Sequence, residues 1–116
     1  MELFEAPAFT KALPNYLNDD DYRGLQKLLL VNPEAGEVMP GTGGFRKIRW
    51  QDSRRNKGKR GGLRIIYYHF SEDNQIWLLT IYDKDEASDL TSAQKKMLKM
   101  AIDLEKQNRA QARRKL

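Results

Sequence analysis

The sequence predicts an α+β fold: an N-terminal short strand and two helices, a three- to four-stranded antiparallel sheet, then a C-terminal helix. Three observations carry that expectation. Apolar residues recur at helical spacing before residue 32 and after residue 91. Between them, residues 63–70 and 76–82 are rich in β-branched and aromatic side chains and are separated only by the polar turn 71–75, as in a hairpin. A third alternating run, residues 45–50, precedes them across a glycine-rich, strongly basic stretch.

In chain order, Leu3 and Phe4 alternate with Glu2 and Glu5 and read as an edge strand closed by Pro7. Phe9, Leu13, Tyr16 and Leu17 follow at helical spacing, with Pro14 expected to divide the segment into two short turns. Asn18 offers an N-cap side chain, and Asp19, Asp20 and Asp21 place negative charge on the first turn of a second helix. Tyr22, Leu25, Leu28, Leu29 and Val31 give it an apolar face, and Asn32-Pro33 ends it. Residues 34–44 form a loop with a brief strand at Val38 and Met39, where Gly41, Gly43 and Gly44 admit a bulge or sharp bend. Residues 83–90 are acidic and irregular. Thr91 and Gln94 have capping-box spacing, and Met97, Leu98, Ala101, Ile102 and Leu104 define the last helix. Beyond them the apolar side chains almost stop, so residues 107–115 read as a solvated helical extension or a fraying tail. The expected organisation is one domain, 1–116, with 105–116 a basic C-terminal extension.

Charge is segregated along the chain. Residues 1–38 carry three basic and seven acidic side chains, 39–70 nine and one, 71–91 one and six, and 92–116 eight and two. Blocks of this kind draw a polyanion to one surface while the others stay unattractive to it. The absence of cysteine excludes a thiolate nucleophile and Cys-based metal sites, and His69 alone builds no histidine cluster, so neither metal nor cofactor is expected. No basic-then-apolar leader opens the chain, and no apolar run approaches the ~20 residues of a membrane helix. The expectation is a soluble cytoplasmic protein without membrane contact.

Strand parity sorts the basic residues. In the run 45–50, Phe45, Lys47 and Arg49 point one way and Arg46, Ile48 and Trp50 the other; the second set suits a core, so Lys47 and Arg49 take the open face and Arg46 the edge. Arg64 shares its face with Ile66, Tyr68 and Phe70. The third strand is two-sided: strict alternation groups Ile76, Leu78, Thr80, Tyr82 and Lys84 against Trp77, Leu79, Ile81 and Asp83, with the polar tip assigned to the open face. That face then bears Lys47, Arg49, Arg64, Tyr82 and Lys84, beside a loop carrying Arg54, Arg55, Lys57, Lys59 and Arg60. Cations there fit either phosphate neutralisation with bases stacked on Tyr or Phe, or RNA cleavage, in which a 2′-hydroxyl attacks the adjacent phosphorus and fixed cations stabilise the developing charge. No histidine pair and no carboxylate cluster marks the face, which leaves the acid and base roles open. His69, Tyr67, Tyr68 and Trp77 suit packed strand positions; Trp50 fits core or stacking; Met97 and Met100 suit core or a partner groove.

The stretches GTGGFRKIRW, KGKRGGLRIIYYHF and IWLLTIYDKDEASDL together resemble the RelE superfamily of toxins, in particular its HigB-like branch. The resemblance implies a RelE-like fold and a small cytoplasmic toxin that cleaves messenger RNA in the ribosomal A site without a metal. It also implies a cognate HigA-like antitoxin with a helix-turn-helix domain, through which alone the toxin reaches operator DNA. By motif position, the phosphate clamps would be Lys47, Arg49 and Arg64, with Lys84 as the basic residue after the third strand. Where some relatives place a tyrosine base before the last helix, this chain has Leu90; Tyr82 and Tyr68 are the candidates that remain, Tyr68 also as an RNA contact. Two other classes compete: a toxin of the same fold acting on DNA gyrase, as in ParE-like relatives, and a non-enzymatic nucleic-acid-binding module.

Overall fold

The computed structural model describes residues 1–51, 62–85 and 90–115. In it the chain runs β1 (Glu2–Glu5), α1 (Pro7–Tyr16), α2 (Asp19–Val31), β2 (Glu37–Val38), β3 (Arg46–Trp50), β4 (Leu63–Phe70), β5 (Gln75–Asp83) and α3 (Ser92–Arg114). The strands make one sheet in the order β1-β5-β4-β3-β2. It has five strands rather than three or four, and it is mixed: β1 lies parallel to β5, the crossover through both helices carries the chain from β1 at one edge to β2 at the other, and the other pairs are antiparallel.

Local chemistry accounts for the helix ends. Asn18 Oδ1 accepts from the Asp21 amide at 2.8 Å, and three aspartates sit against the positive end of α2. The Thr91 hydroxyl accepts from the Gln94 amide and the Gln94 side chain accepts from the Thr91 amide, closing the expected capping box. Pro14 does not divide α1, which is one helix of ten residues with Pro7 in its first turn. Pro14 falls near the C-terminal end, where its missing N–H removes a single bond and the Leu17 amide still reaches Leu13 O at 3.0 Å.

The helices α1 and α2 cover one sheet face. Phe9, Leu17, Leu25 and Leu29 bury against Ile48, Leu63, Ile65, Tyr67, Ile76, Leu78 and Ile81. Each fully buried side chain of this size contributes about 1.5–3 kcal/mol. Trp50 packs half-buried on this cluster, which gives it to the core. The other face is not left wholly open: α3 crosses it and buries Leu98 and Ile102 against Met39, Phe45, Ile66, Tyr68 and Phe70. Close approach is possible because Gly43, at φ +79°, carries no side chain; a Cβ there would stand 2.8 Å from Ile102 Cγ2. Thr42, fully buried, holds the bend by donating to Met39 O and accepting from the Phe45 amide.

The distal half of α3 is the expected helical extension, exposed along most of residues 107–115, and it is tied down at two arginines. The Arg109 guanidinium lies 3.8 Å from the Phe70 ring centroid, donates to Asp73 and Gln75 at 2.8 Å each, and pairs with Glu105; Arg113 joins it on Asp73. The Asp73 carboxyl is held below its ordinary value of 3.8, chiefly by the hydrogen bond from Arg109. A carboxyl whose folded value is depressed contributes stability above its unfolded value and loses it as pH falls through the folded one. Acidification below the carboxylate range is therefore expected to loosen α3 after Glu105. Amide exchange should show this, and Asp73→Asn should already exchange fast there at neutral pH; equal protection of the two proteins at neutral pH would refute the tether.

Candidate phosphate-binding face

The half of the second face that α3 leaves uncovered carries the predicted cations. In register, Arg49 on β3 stands opposite Arg64 on β4, and Arg64 opposite Tyr82 on β5. The next row along the strands is Lys47, Ile66 and Thr80, with Glu37 of β2 beyond Lys47. Side chains directly opposite in neighbouring strands have Cβ atoms about 4.5–5.5 Å apart, so the three cations and the phenol share one patch. Two arginines facing each other destabilise a sheet unless an anion lies between them. Arg49 is exposed, and Lys47, Arg64 and Tyr82 are half-buried. The Arg64 Nη1 donates to Leu63 O at 3.2 Å.

Tyr82 reaches this face by a route that strict alternation misses. A register shift falls between Ile66 and Tyr67: Ile66 pairs with Thr80 but Tyr67 pairs with Leu78, so Leu79 is the extra residue of a β-bulge. Below the bulge Ile76 and Leu78 face α1 and α2; above it Ile81 does, and Tyr82 joins Trp77 and Leu79 on the other side. The expected grouping of Ile76, Leu78, Thr80 and Tyr82 on one face is corrected accordingly.

The other predicted residues divide. Lys84 lies in the turn beyond β5, exposed, its amide donating to Gly62 O at 3.2 Å, which puts it at the rim of the Arg64 row. Tyr68 takes the packed position rather than that of a stacking platform or base: it is buried, its ring edge-on to Phe45 at 5.3 Å and 4.6 Å from Phe70, with Lys106 Nζ above it. Arg46 takes the edge as expected and donates to Gly36 O at 2.8 Å. Leu90 packs on the cluster that includes Tyr82 and offers no proton acceptor. Arg54, Arg55, Lys57, Lys59 and Arg60 lie outside the described residues. Among the described residues, no group of three or more His, Cys, Asp or Glu side chains could hold a metal ion, and no helix is long and apolar enough to cross a membrane.

Two residues of the patch were invisible to parity. Glu37 and Lys95 line an open cavity of about 130 Å³ together with Lys47, Val38, Met39 and Pro40. Glu37 sits on a two-residue strand and Lys95 on α3, and no local pattern predicts that either meets β3.

No protein-family model matches the chain. Among solved structures it is similar to a double arginine-to-alanine mutant of E. coli toxin RelE in the free state, at TM-score 0.52 and 19% identity over 73% of this chain and 84% of that one. The intact E. coli RelBE toxin–antitoxin complex also aligns, at TM-score 0.45 and 21% identity over 68% of this chain and 90% of that one. The element order and sheet are those of a RelE-type toxin fold.

Proposed function

We propose that the protein is a cytoplasmic toxin of a toxin–antitoxin pair, HigB-like in branch, that cleaves messenger RNA on the ribosome and is masked by a HigA-like antitoxin. The carrying observation is the row Arg49, Arg64 and Tyr82 with Lys47 beside it, a set of fixed cations on a rigid sheet. The RelE fold and the three motifs of the first central strands support the same reading.

In the reaction, the 2′-oxygen attacks the neighbouring phosphorus as its proton leaves, the P–O5′ bond breaks, and the products carry a 2′,3′-cyclic phosphate and a 5′-hydroxyl. Arg64 and Arg49, facing each other, would hold the non-bridging phosphate oxygens and stabilise the charge that builds on them. Lys47 would neutralise the adjoining backbone, Lys84 would approach the leaving oxygen from the rim, and the Tyr82 phenol would exchange a proton. With no histidine or carboxylate directly on the row among the described residues, orientation by the ribosome supplies part of the rate. The expected result is cutting of mRNA on translating ribosomes, with little cutting of the same RNA free in solution. Intact mRNA on ribosomes would overturn the reading. DNA breaks without codon-phased RNA ends would replace it with gyrase poisoning, and binding without product would replace it with a nucleic-acid-binding module.

A further inference from the structure

The chain leaves β5 through a turn whose geometry a buried acid sets. Asp83, the last residue of β5, is fully buried and stands opposite Leu63, whose side chain belongs to the core under α1 and α2. Its Oδ1 accepts from the Asp85 amide at 2.8 Å, a bond from one residue to the second beyond it that closes an Asx turn with Lys84 at its centre. On the other side the Lys84 amide donates to Gly62 O at 3.2 Å, which carries the pairing of β4 with β5 one residue past the strand. The Lys84 backbone is therefore clamped from both sides, while its side chain stands exposed. With the cleavage reading as the basis, we propose that Asp83 is the positioning residue for Lys84: it aims that ammonium at the leaving oxygen and touches no RNA itself.

The chemistry of the position supports that role. A lysine carries a point charge on a flexible stem, so the region its ammonium samples is set by where its backbone aims that stem. An exposed turn leaves the direction loose, whereas an acceptor rooted in the core fixes it. Burying a carboxyl group is costly unless hydrogen bonds meet it, and an aliphatic side chain would extend the inner row of Ile81, Leu63 and Trp50 at less cost. The Asp85 amide is a bond that such a side chain could not make. Strand parity also keeps the acid off the reacting groups: Tyr82 and Arg64 occupy the open face and Asp83 the covered one, so its carboxyl acts on the reaction through the Lys84 backbone. Misplacing a catalytic group by about 1 Å can cost about 100-fold in rate, which leaves room for a large effect from one hydrogen bond.

The test is a double-mutant cycle read as single-turnover cleavage of mRNA on ribosomes. Asp83→Ala is expected to slow cleavage about tenfold with ribosome binding unchanged. In the Lys84→Ala background the same substitution should change the rate by less than about twofold, because nothing is left to position. Asp83→Asn keeps a side-chain oxygen in the same place and should stay within about threefold of wild type. An equal loss in both backgrounds would make Asp83 a residue of the fold alone, and an Asp83→Asn as slow as Asp83→Ala would show that the acceptor bond is not what acts; either result overturns the proposal. Should Asp83→Ala not fold, the wild-type protein carries the test: the Asp85 amide lies in an exposed turn and should exchange at least about tenfold slower than open chain, and open-chain exchange would overturn the bond. Wild type that cuts no mRNA would overturn the cleavage reading and the positioning role with it, and a protected Asp85 amide would then mark the turn alone.

Discussion

Replacing Arg64 with alanine is expected to lower cleavage of ribosome-bound mRNA by about 100- to 1,000-fold, the cost of removing one preorganised donor from a developing oxyanion. The side chain stands at the centre of the row, with Arg49 on one flank and Tyr82 on the other. Among the described residues it donates to the carbonyl of the residue before it, a contact on which little folding energy depends. The melting temperature should therefore stay close to wild type. Arg64→Lys keeps the charge but not the planar two-pronged donor, and should recover only part of the activity. A rate within threefold of wild type for Arg64→Ala would show that the row does not grip the reacting phosphate.

The second large effect concerns stability. Tyr67 is fully buried at the middle of β4; its hydroxyl donates to Pro33 O at 2.8 Å and accepts from the Gly36 amide at 2.9 Å. The ring packs so closely that a Cβ at Gly36 would stand 2.9 Å from Tyr67 Cε1. One side chain thus fixes both the core under α1 and α2 and the loop that delivers β2 to the sheet. Burial pushes its phenol above the ordinary value of 10.0, so it remains a neutral donor and takes no part in proton transfer. Tyr67→Phe leaves the buried Gly36 amide and the part-buried Pro33 carbonyl without their partner and should cost about 1–3 kcal/mol. Tyr67→Ala adds the cavity and should cost about 3–5 kcal/mol, lowering the melting temperature by roughly 10 °C or more. Chemical denaturation of the three proteins measures both steps, and equal stability of Tyr67→Phe and wild type would remove the clamp.

Much of this was readable from the residues. Helix caps were legible because Asn18, Thr91 and Gln94 act on amides within three residues of themselves. The faces of Lys47 and Arg49 were legible because β3 is short and unbulged, with Ile48 and Trp50 marking its inner side. Tyr68 suited both a packed position and an RNA contact because β4 is apolar on both faces, and the position of α3 puts it in the packed one.

By itself the sequence determined the element order, the caps, the segregated charge and the cations of the central strand, all set by interactions between near neighbours in the chain. The tertiary structure alone decided the bulge at Leu79 that turns Tyr82 toward Arg64, the clasp of Asp73 on Arg109, and the meeting of Glu37 and Lys95 at Lys47. The reason is physical. A residue's periodicity records which side it buries, whereas which distant residues share that side follows from strand register and helix placement, which are fixed by packing across the whole molecule.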